Sequence, residues 1–411
     1  MKKPIARLSQ LAVLALLLAL ALTAGASAFI SAGDGGWFAQ GEQPRISLDG
    51  VYTSDATHAW VVGESGTILA TTDGGATWSK QSSGTTEWLL SVAFVDSTHG
   101  WAVGFGGTIL ATTDGGATWT KQSSGVDGNL WGAFSDATHG WAVGTDGAIL
   151  ATTDGGATWT KQSSGTTANL LGVAFSDATH GWAVGDGGAI FATTNGGVTW
   201  GAQSSGSSES LKGVACSDAT HAWAVGWDGL IIATTDGGST WSTQSPGGED
   251  LSGVAFSDAT HGWAVGNGGT IFATTNGGVT WSAQSSGSSE TPLKGVAFSD
   301  ATHGWAVGEG GTILATTTGG VSPAPTAPSI AGLKPASAKR GALVTISGSQ
   351  FGAARGTSAV KFGSKTCTKY VSWSDGRIKC RVPAQAKYGV VKVTVTTTAG
   401  KSNALSFKVK R

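Results

Sequence analysis

Arginine is absent from residues 46–339, which make up most of this 411-residue sequence. A site that holds a substrate carboxylate through bidentate, charge-assisted hydrogen bonds depends on arginine, so this stretch cannot build such a site. The helical spacing of apolar residues is missing as well, which excludes a mainly α-helical fold. Cysteine is rare, with three residues in the whole chain, so at most one intramolecular disulfide can form.

The N-terminus contains an apolar run, Leu11–Leu22, that is short for a membrane span. Lys2, Lys3 and Arg7 precede the run, and the small residues Ala26-Ser27-Ala28 follow it. This is the pattern of a secretory signal peptide. We therefore predict a signal peptide over residues 1–28, a secreted or cell-surface location, and no transmembrane segment in the mature chain. An uncleaved anchor is the alternative.

A stretch of twenty residues, GWAVGFGGTILATTDGGATW at Gly100–Trp119, recurs seven times with small changes. A fixed period near 40 residues is typical of repeat architectures. All seven histidines of the protein occupy one position of this repeat, 40 to 42 residues apart: His58, His99, His139, His180, His221, His261 and His303.

Each repeat unit predicts four short strands, because β-branched and aromatic residues alternate with breaks of Gly, Asp and Ser. In the third unit the strands are Leu130–Ser135, Trp141–Gly144, Ala148–Thr153 and Trp159–Ser163. Four strands every 40 residues form one blade of a β-propeller. The sequence thus predicts an all-β chain with a seven-bladed propeller over residues 34–321.

The last blade is predicted to close with a strand from the N-terminus. Residues Trp37–Gln40 match Trp200–Gln203, an outer strand, whereas the seventh unit continues into Val321-Ser322-Pro323 and lacks that strand. Proline does not suit an inner ladder. We therefore expect residues 37–41 to complete blade seven and leave no free sheet edge in the ring.

The turn TTDGGATW resembles the Asp-box, in which an acidic side chain caps backbone amides and glycines allow positive φ. The resemblance implies a structural role for its acid or amide position. Thr318 departs from the pattern, and the predicted turn residues are Asp73, Asp114, Asp154, Asn195, Asp236 and Asn276.

A second repeated turn, Ser135-Asp136-Ala137-Thr138-His139 in unit three, contains the residue types of a hydrolytic triad. A triad needs its base oriented between nucleophile and acid, which consecutive turn residues do not provide. One histidine per blade also spreads possible metal ligands around a circle, whereas zinc ligands converge on one ion. We predict turn capping, with no catalytic residue, no metal and no other cofactor.

The residues that differ between units fall in the B–C loops, the D–A loops and the start of strand A, which should emerge at one end of the ring. We predict a ligand or partner surface there, since loops on a rigid scaffold carry binding; drift in exposed loops is the alternative. The candidate residues are Trp88, Phe105, Trp131, Asp146, Asp186, Lys212, Trp227, Asp228, Glu249, Asp250, Lys294 and Glu309.

The composition changes after a Pro-rich linker at residues 322–328. Residues 329–411 resemble the immunoglobulin-like IPT/TIG domain in PSIAGLKPASAKRGALVTISGSQFG and VVKVTVTTTAGKSNALSFKV, which implies a β-sandwich that serves as a spacer or binding module. Cys367 and Cys380 lie in neighbouring predicted strands and are a possible disulfide. Cys216 stands where other units have phenylalanine, which indicates a buried apolar side chain.

Charge is divided between the two regions. Residues 46–322 hold 23 acidic residues and 5 lysines, whereas residues 323–411 hold 16 basic residues and one acid, Asp375. Alternation along a strand should place Arg377, Lys379 and Arg381 on one side. This basic stripe is predicted to bind an anionic wall polymer; docking on the acidic propeller and a merely solvated surface are the alternatives.

The propeller repeats resemble the photosystem II assembly and stability factor family, most clearly at residues 100–119 and 140–159. The resemblance spans about 46–320 and implies a seven-bladed propeller that assists assembly of a membrane complex. Sialidases also carry Asp-boxes, but their arginine cluster has no counterpart in residues 46–339.

These observations predict an exported, non-catalytic binding or scaffold protein at the cell surface. Its expected partner is a protein, a cell-surface glycan or an anionic wall polymer, with no nucleic acid, and the protein is expected to be a monomer. One alternative is an assembly factor for a photosystem II-like membrane complex. The other is a glycan-active hydrolase that uses paired acids such as Asp186 and Asp228.

Overall fold

A computed structural model describes residues 36–41, 45–287, 290–321 and 327–411. The chain divides into two compact units, residues 1–322 and 323–411. The predicted signal peptide and residues 322–326 of the predicted linker lie outside the described residues. None of the helices in the described ranges is long and apolar enough to cross a membrane.

The first unit consists of seven four-stranded antiparallel sheets. The N-terminal strand is β1 (Phe38–Ala39). Blades 1 to 3 comprise β2 (Leu48–Thr53), β3 (Ala59–Gly63), β4 (Thr67–Thr71) and β5 (Ser79–Gln81); β6 (Leu89–Phe94), β7 (Gly100–Gly104), β8 (Ile109–Thr112) and β9 (Thr120–Gln122); and β10 (Leu130–Phe134), β11 (Gly140–Gly144), β12 (Ile149–Thr152) and β13 (Thr160–Gln162).

Blades 4 to 7 repeat the same meander from inner to outer strand. They comprise β14 (Leu170–Phe175), β15 (Gly181–Gly185), β16 (Ala189–Thr193) and β17 (Gly201–Ser204); β18 (Leu211–Cys216), β19 (Ala222–Gly226), β20 (Ile231–Thr234) and β21 (Ser242–Thr243); β22 (Leu251–Phe256), β23 (Gly262–Gly266), β24 (Ile271–Thr274) and β25 (Ser282–Gln284); and β26 (Leu293–Phe298), β27 (Gly304–Gly308) and β28 (Ile313–Thr316). Six B–C loops are short 3-10 turns: Glu64–Gly66, Thr145–Gly147, Asp186–Gly188, Trp227–Gly229, Asn267–Gly269 and Glu309–Gly311.

The sheets form a closed ring. The innermost strands contact one another in chain order, and β26 of blade 7 contacts β2 of blade 1. Strand β1 pairs with β28 through Phe38 opposite Ala315 and Ala39 opposite Leu314, which gives blade 7 its fourth strand. Trp37 is fully buried and its indole N–H donates to Gln284 at 2.8 Å. The seven-bladed all-β propeller predicted from the repeats is therefore the observed fold.

A repeated aromatic contact joins neighbouring blades. A tryptophan of strand B lies against a phenylalanine from strand A of the next blade, with ring centroids 3.4 to 3.8 Å apart. Its indole N–H donates to a glycine carbonyl in the C–D turn of that next blade, at 3.0 or 3.1 Å. We call this contact the interblade clamp; its members are Trp60 with Phe94, Trp101 with Phe134, Trp141 with Phe175, Trp223 with Phe256, and Trp263 with Phe298.

Two of the seven interfaces lack the phenylalanine. Cys216 and Thr53 occupy its position in blades 5 and 1. The residue opposite them in strand B is alanine, Ala222 or Ala59, whereas it is glycine in the other five blades, where a Cβ would collide with the phenylalanine ring. At these two interfaces the indole N–H groups of Trp182 and Trp305 are buried and have no hydrogen-bond partner among the described residues. The phenylalanine, the glycine and the indole hydrogen bond therefore occur together.

The second unit is a β-sandwich of two sheets, as its IPT/TIG resemblance implied. One sheet has the order β29-β31-β35-β34, and the other has the order β30-β38-β36-β32-β33 with β37 paired to β36. The strands are β29 (Ser329–Lys334), β30 (Ser337–Lys339), β31 (Leu343–Ser349), β32 (Ala359–Phe362), β33 (Lys365–Thr366), β34 (Tyr370–Ser374), β35 (Arg377–Arg381), β36 (Gly389–Thr397), β37 (Gly400–Lys401) and β38 (Leu405–Lys410).

The possible disulfide in this unit is not formed. Cys367 and Cys380 are both buried, and both are free thiols. The Cys367 thiol donates instead to the carbonyl of Arg381 at 3.2 Å. The neighbouring Cys380 thiol lowers the pKa of Cys367. Cys367, in the loop after β33, and Cys380 of β35 thus both lie in the core of the sandwich as free thiols.

The closing strand should be required for full stability. A truncated chain that begins at Ile46 loses β1 and Trp37, which opens the edge of β28. We expect its melting temperature to fall by several degrees, or the protein to aggregate. The point variant Trp37→Ala removes a buried indole and should cost about 3–5 kcal/mol in the free energy of unfolding. An unchanged melting temperature of the truncated chain would contradict this role.

The clamp missing between blades 4 and 5 should be restorable by two substitutions. Cys216→Phe alone places a ring against the Cβ of Ala222 and should destabilise the protein by about 1–3 kcal/mol. Adding Ala222→Gly should reverse that loss and add up to about 1 kcal/mol from the new stack on Trp182. Denaturant unfolding measures both effects. A double variant no more stable than Cys216→Phe would show that the glycine does not accommodate the ring.

Candidate functional site

The strand register places all the variable segments at one end of the ring. In blade 3, Leu130 at the start of strand A lies opposite Gly144 at the end of strand B, and Ile149 at the start of strand C lies opposite Gln162 at the end of strand D. The B–C and D–A loops of every blade therefore share one end, which we call the variable face. The A–B and C–D turns occupy the other end, which we call the turn face.

The loops of the variable face are joined to one another by backbone hydrogen bonds. The first residue of each B–C loop donates its amide to the carbonyl just before strand A of the same blade, as Trp227 does to Ser210 at 3.1 Å. The same bond recurs in the other blades, for example from Phe105 to Trp88 at 2.8 Å. The variable side chains are thus presented from a fixed backbone rather than from free loops.

A β-bulge in strand A turns one variable side chain toward the central channel in six blades. Bulges re-aim the extra residue of a strand, and here it is Asp49, Leu90, Leu171, Lys212, Ser252 or Lys294. Blade 3 is one residue shorter and has no bulge, yet Trp131 occupies the same place. All seven side chains line one cavity of about 340 Å³ at the mouth of the channel.

The channel mouth has two chemically different halves. Leu90, Trp131 and Leu171 on blades 2 to 4 form an apolar arc. Across from them, Lys212, Ser252, Lys294 and Asp49 on blades 5, 6, 7 and 1 form a polar arc. The mouth can therefore accept an apolar group on one side and hydrogen-bond or pair with a polar group on the other.

The polar arc contains a network at the junction of blades 7 and 1. Lys294 pairs with Glu309 at 3.1 Å, and Asp49 accepts a hydrogen bond from the indole of Trp88. Burial raises the pKa of Asp49, and this hydrogen bond partly opposes the rise. These four side chains line a second cavity of about 360 Å³, together with Arg45 and Glu64.

Aromatic side chains stand around the mouth. Trp88 and Phe105 of blade 2 lie against each other with centroids 5.4 Å apart. Trp227 is 44% exposed, which is unusual for an indole, and the ammonium of Lys212 lies 5.6 Å from its ring centroid. The predicted aromatic candidates thus flank the channel and leave one indole open to solvent.

The acidic candidates are held in their loops by specific contacts. Asp146 and Asp228 adopt left-handed φ values of 56° and 54°, and their amides donate to Asn169 and Asp250 of the next blade. The carboxylate of Asp186 accepts from the side chains of Asn169 and Ser210. Glu249 and Glu309 are exposed. Asp186 and Asp228 therefore have different partners: the Asp186 carboxylate contacts Asn169 and Ser210, whereas Asp228 contacts Asp250 through its backbone amide.

Sequence reasoning missed part of this face. Arg45 lies one residue before the arginine-free stretch and lines the second cavity with Glu64. Arg45 precedes strand A of blade 1, where the other blades have a D–A loop, and this position could have identified it from the sequence. The structure brings Trp131, Lys212 and Lys294 together in the channel mouth, whereas Asp146 and Glu249 are not part of its lining.

The turn face is built from local hydrogen bonds. In the A–B turn of blade 3, Asp136 accepts from the amides of Thr138 and His139, and its Oδ2 lies 2.8 Å from the His139 Nδ1. The other six Asp–His pairs repeat this at 2.9 or 3.0 Å. No group of three metal-ligating side chains occurs in the described part of the chain. The geometry is that of a capped turn.

The C–D turns use the acid or amide in the same structural way. Asp114 accepts from the hydroxyl and amide of Thr118, which lowers the pKa of Asp114 to about 2. Asp73, Asp154 and Asp236 make the same bonds. Where Asn195 and Asn276 replace the acid, the side-chain amide donates to the threonine hydroxyl. The side-chain oxygen still accepts from the threonine backbone amide, so the turn is kept.

The comparison with known families agrees with this geometry. The family model described as photosynthesis system II assembly factor YCF48 matches residues 83–130, 160–247 and 248–322, and the IPT/TIG domain matches residues 328–409. The chain belongs to the YCF48 family. Its propeller is thus a member of a family of assembly factors, followed by an IPT/TIG domain.

Solved structures share the propeller fold of this YCF48-family chain. "YCF48 bound to D1 peptide" aligns at 21% identity and a TM-score of 0.59 over 70% of this chain and 99% of that one. YCF48 from Cyanidioschyzon merolae gives 22% identity and a TM-score of 0.58 over 68% and 98%. The WD40 propeller of Doa1 gives 13% and 0.58 over 68% and 96%. At these identities the likeness establishes the fold alone.

A curated relative matches a much smaller part of the chain. Cyclomaltodextrin glucanotransferase from Bacillus sp. (strain 17-1) is 43% identical over 82 residues, which are 20% of this chain. The match covers 11% of that enzyme and falls on the IPT/TIG-like region. It therefore supports the domain assignment and carries no activity to this protein.

The C–D turns should make stability depend on pH in the acid range. An aspartate has a pKa of about 3.9 when unfolded, and the folded value of Asp114, Asp154 and Asp236 is about 2. The folded state therefore binds fewer protons between these values, and this stabilisation is lost as pH falls through about 2. We expect the melting temperature to drop between pH 4 and pH 2.

Replacing these three aspartates with asparagine should reduce that drop while the turns survive, as Asn195 and Asn276 indicate. The matched opposite change, Asn195→Asp, should steepen it. Calorimetry across the pH range measures both variants. An identical pH profile for the triple variant and the wild type would rule out a contribution from these turns.

Proposed function

We propose that this protein is an exported, non-catalytic binding scaffold that holds a polypeptide segment of a partner on the variable face of its propeller. Membership of an assembly-factor family supports binding as its activity. The family member solved with a D1 peptide provides a precedent for a peptide ligand. Export is proposed from the N-terminal signal-peptide pattern alone.

The channel mouth is the single observation that carries this proposal. Seven variable side chains converge there from seven blades, six of them through bulges. The rest of each blade is nearly constant, so variation has concentrated where side chains meet. The apolar arc of Leu90, Trp131 and Leu171 suits an apolar side chain of the segment, and the polar arc suits its backbone or a polar neighbour.

The charge of the rim favours a basic segment. Asp146, Asp186, Asp228, Glu249 and Asp250 lie in loops of the variable face, which also carries the exposed ring of Trp227. Carboxylates beside an indole are suited to Lys or Arg side chains, through ion pairing and cation–π contact. Opposite charge also speeds encounter. The partner segment is therefore expected to combine basic and apolar residues.

The basic stripe of the second unit supports a second binding activity. Arg377, Lys379 and Arg381 point outward from β35, while Ile378 and Cys380 between them are fully buried. We propose that this stripe binds an anionic wall polysaccharide and retains the exported protein at the cell surface. Because exposed charges are screened within about 8 Å at physiological salt, this attachment should weaken as salt rises.

Peptide selection tests the role of the variable face. A random peptide library displayed on phage should yield binders to the immobilised full chain that are rich in Lys, Arg and apolar residues. Trp131→Ala and Trp227→Ala should each weaken a selected peptide by about tenfold or more, because aromatic anchors dominate such interfaces. Titration calorimetry gives the Kd values.

The matched controls are Val198→Ala and Val279→Ala. Both valines are exposed apolar residues of the turn face, 80% and 78% exposed, and should leave the Kd unchanged. Melting curves check that all four variants fold. Binders that are acidic, or that respond only to the valine substitutions, would refute the assignment of the variable face.

A further inference from the structure

A second basic surface covers the other sheet of the C-terminal unit. In β38, Phe407 and Val409 are buried, so Lys408 and Lys410 point outward. In β36 the buried Val391 and Val393 place Lys392 outward. Lys361 of β32 and Lys339 of β30 are exposed in the same way, which gives five outward lysines on strands β30, β38, β36 and β32.

The strand order brings these lysines together. Lys339 lies directly opposite Lys410, Lys408 lies opposite Val390, and Lys392 lies opposite Ser406. Neighbouring strands are about 4.8 Å apart, and alternate residues along a strand about 6.8 Å apart. Each lysine in the series Lys361, Lys392, Lys408, Lys410 and Lys339 therefore lies within about one Debye length of the next, measured between backbone positions. We call this surface the lysine face.

No carboxylate side chain of the domain pairs with these lysines among the described residues. Asp375 is the single acidic residue of residues 323–411, and its side chain accepts the amides of Gln350 and Gly352. No ion pair occurs within the described residues of this unit. Like charges placed directly opposite each other destabilise a sheet, as with Lys339 and Lys410. An external polyanion would relieve this repulsion.

The lysine face and the basic stripe lie on opposite sides of one core. Ile378 and Cys380 under the stripe pack in the same cluster as Val393 and Phe407 under the lysine face. Because the inner faces of the two sheets meet in that cluster, their outer faces point away from each other. A polymer strand lying along one sheet therefore leaves the other sheet free.

We propose that the C-terminal domain has two polyanion-binding faces and bridges two strands of anionic polysaccharide. This inference rests on the polysaccharide binding proposed for the stripe and adds the lysine face as a second site. Lysines on a flat sheet suit the repeating phosphate, sulfate or carboxylate groups of a flexible polymer. Reading a DNA groove requires a protruding helix or β-ribbon, and neither face has one.

Binding stoichiometry tests the proposal on the full chain. Titration with a short heparin oligosaccharide of uniform length should give two bound per chain. Lys392→Gln, Lys408→Gln and Lys410→Gln together should reduce this to one, as should Arg377→Gln, Lys379→Gln and Arg381→Gln together. A control with the same change in charge, Lys80→Gln, Lys121→Gln and Lys161→Gln in the propeller, should keep two. Long heparin should turn the wild type turbid but neither triple variant of the domain.

The outcomes separate the two faces. One oligosaccharide per wild-type chain, lost only in the Arg377 set, would overturn the lysine face and leave the stripe. One oligosaccharide per wild-type chain, with binding lost only in the triple variant that includes Lys392→Gln, would overturn the stripe as a site and therefore also the bridging of two strands. No binding at low salt would overturn both. Tighter binding of duplex DNA than of heparin at equal salt would overturn the assignment to polysaccharide.

Discussion

The contact between neighbouring blades is the constraint on which this propeller depends. A four-stranded sheet has two faces to bury, and in a ring each face is covered by one of the two neighbouring blades. The interblade clamp does this with a tryptophan stacked on a phenylalanine and anchored to a glycine carbonyl, in five of seven interfaces. Aromatic pairs contribute about 0.5–1.5 kcal/mol beyond their buried area. The glycine opposite the phenylalanine belongs to the same constraint, because a Cβ there would occupy the space of the ring.

This constraint separates the residues that hold the ring from those that can change. Strand B is buried along its whole length in every blade, and the turn face repeats one hydrogen-bonded template. The bulged residue of strand A and the B–C loop lie at the other end, outside the interblade clamp. Differences such as Lys212 against Leu171 can therefore accumulate without cost to the ring. A rigid scaffold with variable loops is the usual arrangement for binding.

The opposite charges of the two units favour different partners. The propeller carries its acids on both ends and has few bases, which is why a basic segment is the proposed partner of its variable face. The C-terminal domain has one carboxylate, already occupied by backbone amides, beneath two sheets of outward-facing bases. Under the two proposals, the protein would hold a polypeptide with one unit and an anionic polymer with the other. The two proposed activities need no shared residue.

The sequence by itself determined the number of blades, the four strands of each and the closing strand at residues 37–41, because these follow from local periodicity and from a repeat that can be counted. It also determined the outward direction of Arg377, Lys379 and Arg381, since side chains alternate along any strand. Tertiary structure alone decided which residues meet. The bulges that aim Asp49 and Lys294 into the channel depend on pairing with strand B. The left-handed backbone of Asp146 is held by Asn169 from the next blade, and Arg45 joins the site only through ring closure. The lysine face required the strand order β30-β38-β36-β32, which no local pattern encodes because its members are distant in the chain.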